Sequence, residues 1–292
     1  MAEPAIRTEG LTKHFGDVVA LEGLTLDVQR GEIFGFLGPN GAGKSTTIRL
    51  LLNLIRPTAG SAWIMGIPAG DVAQAHRHVS YVPGDVSLWP QLTGVETLDL
   101  LGNISGQVDV PFRDEVIERL QLDPSKRVRA YSKGNRQKIA LVAAFMTRPD
   151  VLLLDEPTAG LDPLMEEQFQ ELARDAAARG QTIFLSSHIL DEVEDLCHRV
   201  AILREGHLIE VATLDQLQEL DTTIFAIDFD AGEGLPDFTT VAGVVSAEAD
   251  ARQVRVTVKG SPAPLLNLLS TLPVRQLRTH TPSLEEIFLS YY

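Results

Sequence analysis

The sequence predicts an α/β fold that is followed by a smaller α+β domain. Apolar runs such as "VLLLD", "TIFLS" and "RVAIL" alternate with helical segments, which is typical of the central strands of a parallel sheet. Around residue 220 the pattern changes to strands of antiparallel type. We therefore assign residues 1–220 to a large domain and residues 221–292 to a small accessory domain.

The composition allows a core of normal size and argues against nucleic acid as a partner. Of the 292 residues, 44% are hydrophobic and 22% are charged, as in ordinary globular proteins. The formal net charge of -15 disfavours binding to nucleic acid or to an anionic lipid surface. The single cysteine, Cys197, fits a reducing cytosol. We see no signal peptide and no apolar run near the ~20 residues of a spanning helix, so action at a membrane would require a partner.

The elements of the large domain follow from its hydrophobic patterns. Residues 4–30 alternate apolar and polar residues and predict two short antiparallel strands. "EIFGFLG" predicts a buried strand, "KSTTIRLLLNLI" the helix after it, and "HVSYVP" another strand. Residues about 90–147 are mostly helical, with apolar positions three or four apart in "TGVETLDLLGNI", "PFRDEVIERLQL" and "NRQKIALVAAFMTR". In the small domain we predict the strands "TTIFAIDFD", "QVRVTVK" and "VRQLRTH" and the helices "PLLNLLSTL" and "SLEEIFLSYY".

A glycine-rich loop lies between the first buried strand and its helix. "GPNGAGKST" fits the spacing G-x-x-x-x-G-K-[ST] of a loop whose backbone N–H groups surround phosphates at a helix N-terminus. Lys44 should reach the β- and γ-phosphates, Ser45 should ligate Mg²⁺, and Thr46 should support the α- and β-phosphates. The alternative, a chance glycine turn, is disfavoured by the strand and helix around it. The predicted nucleotide-binding residues are Gly38, Pro39, Asn40, Gly41, Ala42, Gly43, Lys44, Ser45 and Thr46.

Two further buried strands end in polar residues. In "VLLLDEP" the strand carries Asp155 to its end, and Glu156 follows. Asp155 should hold the Mg²⁺ through water, and Glu156 should polarise an attacking water. "SSHIL" places His188 after the next strand, where its neutral imidazole could hydrogen-bond the γ-phosphate and fix the water near Glu156. Taken alone, these residues could equally be a solvated acidic strand end and a structural histidine.

Together with "YSKGNRQKIAL" and "AGLDP", these motifs resemble the ATP-binding subunit of an ABC transporter over about residues 5–215. The resemblance implies a P-loop NTPase of the ABC ATPase type, with an antiparallel β subdomain and a helical subdomain at about 90–147. It implies ATP and Mg²⁺ as ligands. It also implies that two subunits sandwich the ATP, and that each site combines the phosphate loop of one chain with the signature motif of the other.

The role of the signature motif is the prediction that depends most on the resemblance. Its residues Ser132, Lys133, Gly134 and Asn135 would face the partner's γ-phosphate. The stretch departs from the usual L-S-G-G-Q at Tyr131, Lys133 and Asn135, whereas Ser132 and Gly134 are retained. Without the resemblance, "SKGN" would be an ordinary helix cap.

Two more residues match family positions. Asp162 in "AGLDP" resembles the D-loop residue that crosses between the two sites, although Asp162 and Pro163 also start a helix well on their own account. Phe15 matches the aromatic residue that stacks on adenine. The alternative for Phe15 is a place in the core.

One departure concerns the strand "VSYVP". The family usually ends this strand with a Gln or Glu that touches the metal and the attacking water, and here Gly84 stands there, followed by Asp85. Either the metal contact is lost or Asp85 replaces it. Trp89, further along the same loop, is a candidate contact for a partner helix or packs on its own helical subdomain.

The chain end "TPSLEEIFLSYY" is similar to the ends of ATP subunits that drive drug and antibiotic exporters. The resemblance therefore implies an ATPase at the cytoplasmic face of the membrane. It would be held there by separate multi-span permease subunits and paired with a second ATPase subunit, which we expect to be identical. We predict no nucleic-acid partner. The alternatives are a soluble non-transport ABC ATPase acting on the ribosome or DNA, and a nucleotide-binding regulator with little turnover, which Asp155, Glu156 and His188 oppose.

Overall fold

A six-stranded sheet lies at the centre of the larger part of the chain. The computed structural model describes residues 3–106, 108–214, 216, 222–230, 235–250 and 253–280. Up to residue 213 the strands are β1 (Ile6–Phe15), β2 (Val18–Val28), β3 (Ile33–Leu37), β4 (Ala59–Ile64), β5 (Ile67–Pro68), β6 (Val79–Val82), β7 (Val151–Asp155), β8 (Thr182–Ser187), β9 (Arg199–Arg204) and β10 (His207–Thr213). The helices are α1 (Lys44–Leu51), α2 (Val72–Ala75), α3 (Gly94–Ser105), α4 (Val110–Arg119), α5 (Lys133–Phe145), α6 (Pro163–Ala178) and α7 (Leu190–Leu196).

The central sheet has the strand order β10-β9-β3-β8-β7-β6. Its strands β9, β3, β8, β7 and β6 pair in parallel with their neighbours. Every residue of β3, β7 and β8 is buried, as expected for apolar strands in a parallel sheet that is covered on both faces. The predicted α/β class is confirmed, and so is the interpretation of the apolar runs as central strands.

A second sheet is antiparallel and has the order β2-β1-β4-β5. The strands predicted in residues 4–30 are confirmed as β1 and β2, whose ladder is interrupted by bulges. β4 was not predicted, because "AGSAWI" has a weak strand pattern. Gly60 in β4 has a φ of 78°, and a Cβ there would collide with the carbonyl of Gly10. Pairing with β1 therefore determines β4 more than its own composition does.

Three helices, α3, α4 and α5, form the predicted helical subdomain. α3 begins with a capping box between Thr93 and Glu96, and Asp109 and Ser132 cap α4 and α5. Side chains that accept hydrogen bonds from the first free N–H groups fix where each helix starts. The predicted helices are confirmed.

α1 is shorter than predicted. We expected a helix as far as Ile55, but α1 ends at Leu51. Asn53 has a φ of 51°, in the left-handed region that asparagine tolerates, and Pro57 follows soon after. The helix therefore stops although the sequence remains apolar.

Contacts divide the chain into two units, Met1–Ala212 and Thr213–Tyr292. The predicted boundary at 220/221 stays a prediction. The second unit contains β11 (Thr222–Phe229), β12 (Val244–Asp250), β13 (Gln253–Lys259), β14 (Val274–His280) and α8 (Ala263–Leu269) in an antiparallel sheet of order β12-β13-β11-β14. Leu265 and Leu269 of α8 pack with Phe225, Val256 and other sheet residues in one core. β12 was not predicted, and the predicted helix "SLEEIFLSYY" lies outside the described residues.

Two smaller observations concern expectations from the composition. Cys197 is buried where α7 ends, beside Gly35 of β3, and this burial raises the pKa of its thiol. No helix in the described parts of the chain is both long and apolar enough to span a membrane.

Candidate active site

The glycine-rich loop connects β3 to α1 and forms a cleft. Gly41 and Gly43 have φ values of 87° and 109°, and Gly43 precedes α1 as its N-cap. A Cβ at Gly43 would lie 2.6 Å from the carbonyl oxygen of Ala20, so both backbone and space require glycine there. Gly38 lies behind the cleft against Leu203. The residues that line the cleft are Ala20, Pro39, Asn40, Gly41, Ala42, Gly43, Lys44, Ser45, Thr46 and Glu156.

Lys44 extends along this cleft and is only 5% exposed. Its Nζ donates to the carbonyl oxygens of Gly38, at 2.6 Å, and Pro39, at 3.2 Å. Burial lowers the pKa of Lys44, and the charges of Glu156 and Asp155 oppose this shift. The nearest carboxylate oxygen, on Glu156, is 3.9 Å away, so the ammonium is largely desolvated without a close ion pair. Such a cation can bind a phosphate oxygen strongly.

Asp155 ends β7 and joins the neighbouring elements through its carboxylate. It is 4% exposed, and its Oδ1 accepts from Ser45 Oγ at 3.0 Å and from Ser186 Oγ at 2.6 Å. Asp155 and Ser186 face each other in the parallel register of β7 and β8. A hydroxyl and a carboxylate are hard oxygen donors, and Mg²⁺ typically takes one or two carboxylates together with water and substrate phosphates. The donor set therefore fits Mg²⁺.

Glu156 has an unusual backbone conformation. Its φ of 48° is in the left-handed region, which costs a residue other than glycine on the order of 1–3 kcal/mol. The conformation is held because the N–H of Glu156 donates to Ser186, at 3.1 Å from the carbonyl oxygen and 3.2 Å from Oγ. The side chain then meets His188, with 3.2 Å between Oε1 and Nδ1. The structure thus brings together the phosphate loop, Asp155, Glu156 and His188.

Phe15, at the end of β1, is 50% exposed. This exposure rules out the alternative that Phe15 belongs to the core. The Nζ of Lys13 lies 4.8 Å from the centroid of its ring. In the strand register Phe15 pairs with Val18, which is also exposed. The protein therefore presents a flat apolar surface there, as a stacking residue requires.

The signature stretch lies at the start of α5, away from the cleft. Ser132 is the exposed N-cap, and its Oγ accepts from the N–H of Asn135 at 3.2 Å. Lys133 is also exposed. Gly134 packs against the loop that follows Glu156, because a Cβ at position 134 would collide with the carbonyl oxygen of Gly160. Among the described residues, none of 132–135 lines the phosphate-loop cleft.

Two residues next to these motifs have structural roles in their own chain. Tyr131, which replaces the family's leucine, is buried, and its hydroxyl donates to the carbonyl of Asp123 at 2.6 Å. Asp162 is the N-cap of α6, where Oδ1 accepts from the N–H of Met165 at 3.1 Å. Asp162 is also exposed, so its helix-capping role leaves it accessible to a partner.

Gly84 lies directly beside Asp155. A Cβ there would be 3.4 Å from the backbone oxygen of Asp155 and 3.6 Å from its Oδ2, which is ordinary contact. The backbone of Gly84 is outside the left-handed region, so neither strain nor crowding requires glycine. The resulting space is lined in part by Arg49, Tyr81 and Asp85. Burial and the charge of Asp155 raise the pKa of Tyr81, while Arg49 opposes the shift.

Beyond Gly84 the loop borders the helical subdomain. A groove there is lined by Val86, Leu88 and Leu101 together with residues of β6 and α5. Trp89 next to it is 45% exposed, so it is not fully used in packing on its own subdomain.

Two residues that were not predicted, Ser186 and Glu192, hold the loops of the catalytic side chains in place. Ser186 fixes both Asp155 and Glu156, and Glu192 hydrogen-bonds Thr158 and Ser187. The signal for Ser186 was available, because a polar residue ending a buried strand beside "VLLLD" must face the Asp155 carboxylate at the sheet edge. The contacts of Glu192 depend on loop geometry and gave no such signal.

The chain is similar to known proteins of one family. The family model "ABC transporter" matches residues 21–159. The chain is 34% identical over 298 residues to YdbJ of Bacillus subtilis, an uncharacterized ABC transporter ATP-binding protein, with 99% of this chain and 96% of that protein covered. It is 39% identical over 221 residues to the bacitracin transport ATP-binding protein BcrA of Bacillus licheniformis, covering 73% of this chain and 71% of BcrA.

A solved structure agrees with the sequence relatives. An ATP-binding subunit of an ABC transporter aligns with a TM-score of 0.69 and 32% identity over 73% of this chain and 92% of that one. These relatives are named as transporter subunits, so the alternative of a non-transport ATPase acting on the ribosome or DNA is wrong. The chain belongs to the ATP-binding proteins of ABC transporters, and it is an ATP-hydrolysing subunit of the exporter type.

Proposed function

We propose that this ATPase powers the efflux of antibiotics, drugs or other hydrophobic substrates through separate multi-span membrane subunits. It would work as a pair of identical chains at the cytoplasmic face of the membrane. The bacitracin transport named for BcrA and the resemblance of the chain's last residues to drug-exporter ATPases support the substrate class. The single observation that carries the enzymatic part is the convergence of Lys44, Asp155, Glu156 and His188 at the carboxyl ends of adjacent parallel strands.

The phosphate loop and Lys44 bind the triphosphate. Backbone N–H groups at the start of α1 add partial positive charge, and the desolvated Lys44 ammonium exchanges its carbonyl partners for β- and γ-phosphate oxygens. Phe15 stacks on the adenine. Ser45 and Asp155 would hold Mg²⁺, which would neutralise charge on the phosphates.

Glu156 and His188 handle the attacking water. The Glu156 carboxylate accepts a hydrogen bond from the water and orients it for in-line attack on the γ-phosphorus. The contact of His188 Nδ1 with Glu156 fixes the ring orientation. If Nδ1 donates to Glu156, Nε2 of a neutral ring carries no proton. Donation by Nε2 to a γ-phosphate oxygen then requires the doubly protonated ring.

The helix N-terminus at Ser132 would serve the ATP that is bound by the partner chain. Ser132 and Lys133 are exposed and Gly134 and Asn135 are half-buried at a helix N-terminus that does not line the chain's own cleft. In a head-to-tail pair they would complete the site of the other chain, with Asp162 at the crossing.

The groove beside Trp89 is the surface we assign to the permease. It is apolar and lies at the loop that starts beside Asp155, which connects a membrane partner to the metal site. A net charge of -15 disfavours direct attachment to anionic lipid, so attachment through a protein is the consistent route.

Substitution and co-purification test the proposal. Glu156→Gln should still bind Mg-ATP but hydrolyse it about 10²–10⁴-fold more slowly, because one positioned base is lost. From detergent-solubilised membranes, this trapped variant should co-purify with a multi-span membrane protein. Near-normal turnover would contradict the role of Glu156. Purification with ribosomes, or with no membrane protein, would contradict the transport function.

A further inference from the structure

Two loops of the active site meet at one carboxylate on α7. Glu192 accepts from Thr158 Oγ1 at 2.7 Å through Oε1, and from Ser187 Oγ at 3.0 Å through Oε2. Thr158 lies two residues after Glu156, and Ser187 directly precedes His188. Both hydroxyl-bearing residues are buried, at 6% and 2% exposed. Each oxygen of one side chain is therefore bonded to a different catalytic loop.

We infer that Glu192 is a positioning residue for hydrolysis, which ties the loop that carries Glu156 to the loop that carries His188. The inference rests on the roles proposed above for those two residues. Glu192 is not among the described residues that line the Lys44 cleft. Its effect on the reaction would pass through Thr158 and Ser187.

The geometry of Glu156 explains why such a tie is needed. Its left-handed backbone is held on one side by Ser186, and a strained residue keeps its conformation only when its surroundings fix it. On the other side, Gln137 donates to the carbonyl of Pro157 at 2.9 Å, and Glu192 accepts from the Thr158 hydroxyl at 2.7 Å. The loop is thus anchored before and after Glu156, whose side chain lies beside His188 and lines the cleft.

The bonding at Ser187 supports the same conclusion. Its single hydroxyl proton can go to Glu192 or to the carbonyl of Ile189, at 3.2 Å. A carboxylate is the stronger acceptor, so the proton goes to Glu192. The Ser187 oxygen meanwhile accepts from the N–H of Ile189 at 2.9 Å, which shapes the turn around His188. Glu192 therefore orients this turn as well as the Glu156 loop.

Paired variants of the full chain test the inference. Glu192→Ala should lower kcat by about 10- to 100-fold, because displacing a catalytic group by about 1 Å costs that much. KM for ATP and the affinity for trinitrophenyl-ATP should change by less than about threefold. Glu192→Gln should recover part of the loss, since an amide can accept from one hydroxyl and donate to the other. Asp195→Ala, an exposed acidic position on the same helix, should match the unmodified chain.

A second pair guards against misfolding of Glu192→Ala. Thr158→Val removes the hydroxyl at nearly constant shape and should lower kcat, whereas Thr158→Ser keeps the hydroxyl and should not. If kcat stays within twofold in both Glu192→Ala and Thr158→Val, or if ATP affinity falls as much as kcat, the inference is wrong. Glu156→Gln, measured in the same assay, distinguishes failure of this inference from failure of the proposed role of Glu156. If Glu156→Gln is inactive while Glu192→Ala is active, only the inference fails. If Glu156→Gln stays active, the proposed role of Glu156 itself fails.

Discussion

Gly84 lies beside Asp155, at the position where the resemblance leads us to expect a Gln or Glu. Its backbone is unstrained and a Cβ there fits against Asp155, so the position can accept a side chain. Sterics therefore do not explain why position 84 has no side chain that could contact the metal site. Asp85 is exposed, and a carboxylate turned inward would be repelled by the γ-phosphate.

At this position we predict that Gly84→Gln preserves or raises the ATPase rate. The glutamine amide can reach the space beside Asp155 and contact Mg²⁺ or the attacking water. In the same assay, Asp85→Ala should leave the Mg²⁺ concentration needed for half-maximal activity unchanged. Titration of hydrolysis with Mg²⁺ measures both. A large rise in the Mg²⁺ requirement of Asp85→Ala would make Asp85 the replacement ligand.

At the scale of elements, the first turn of α5 must meet two requirements. The exposed Ser132 suits a partner's phosphate, and Gly134 must also let the loop at Gly160 approach. Gln137, one turn further, donates to the carbonyl of Pro157 at 2.9 Å. The start of α5 is thus packed on the loop that follows Glu156 in the same chain. Gly134 therefore has a structural role that is independent of any second subunit.

This packing predicts a stability effect in the isolated chain. Gly134→Ala should lower the free energy of unfolding by about 1–3 kcal/mol, because the added methyl group collides with the Gly160 carbonyl. The better helix propensity of alanine should not offset the collision. Gly70→Ala is the matched control, since nothing lies within 4 Å of a Cβ there. Urea denaturation checks both variants. Equal stability of the two would show that Gly134 serves only the partner.

How far the sequence predicts this structure differs between elements. The long apolar strands β3, β7 and β8 were predictable because burial on both faces leaves a continuous hydrophobic signal. β4 and β12 were not, since their ladders with β1 and β13 define them. The phosphate loop, Asp155, Glu156 and His188 were found from motifs at strand ends. Glu192 was not, because its two partners come from loops whose approach no local pattern encodes.

At the scale of the whole molecule, the signature residues at the start of α5 do not line the phosphate-loop cleft of their own chain. This separation predicts that two variants with different defects complement each other in a mixed dimer. Ser132→Arg should bind ATP normally as a monomer but fail to close a dimer, because the arginine fills the facing site. Lys44→Ala has a defective phosphate loop but an intact signature. A mixed dimer of the two keeps one composite site intact, whereas each homodimer keeps none. The mixture should therefore regain part of the ATPase rate that both variants lack.

Sedimentation with and without Mg-ATP and the hydrolysis rate of the mixture measure this effect. Arg136→Ala is a control for disturbance of the helix start, because Arg136 lies in the same helix turn and donates to the Tyr131 carbonyl. If the mixture is as inactive as either variant alone, each chain completes its own site. The same holds if isolated Ser132→Arg loses affinity for nucleotide.

The missing side chain at Gly84 also has a thermodynamic consequence for the transporter. If a permease bound beside Trp89 changed the affinity for Mg²⁺, then Mg²⁺ would have to change the affinity for the permease by the same factor. A glutamine at this position would let one side chain carry that linkage directly. In this chain the coupling free energy must pass through the backbone of residues 83–86 or through the nucleotide itself. We therefore expect metal occupancy and permease affinity to be nearly independent until ATP is bound.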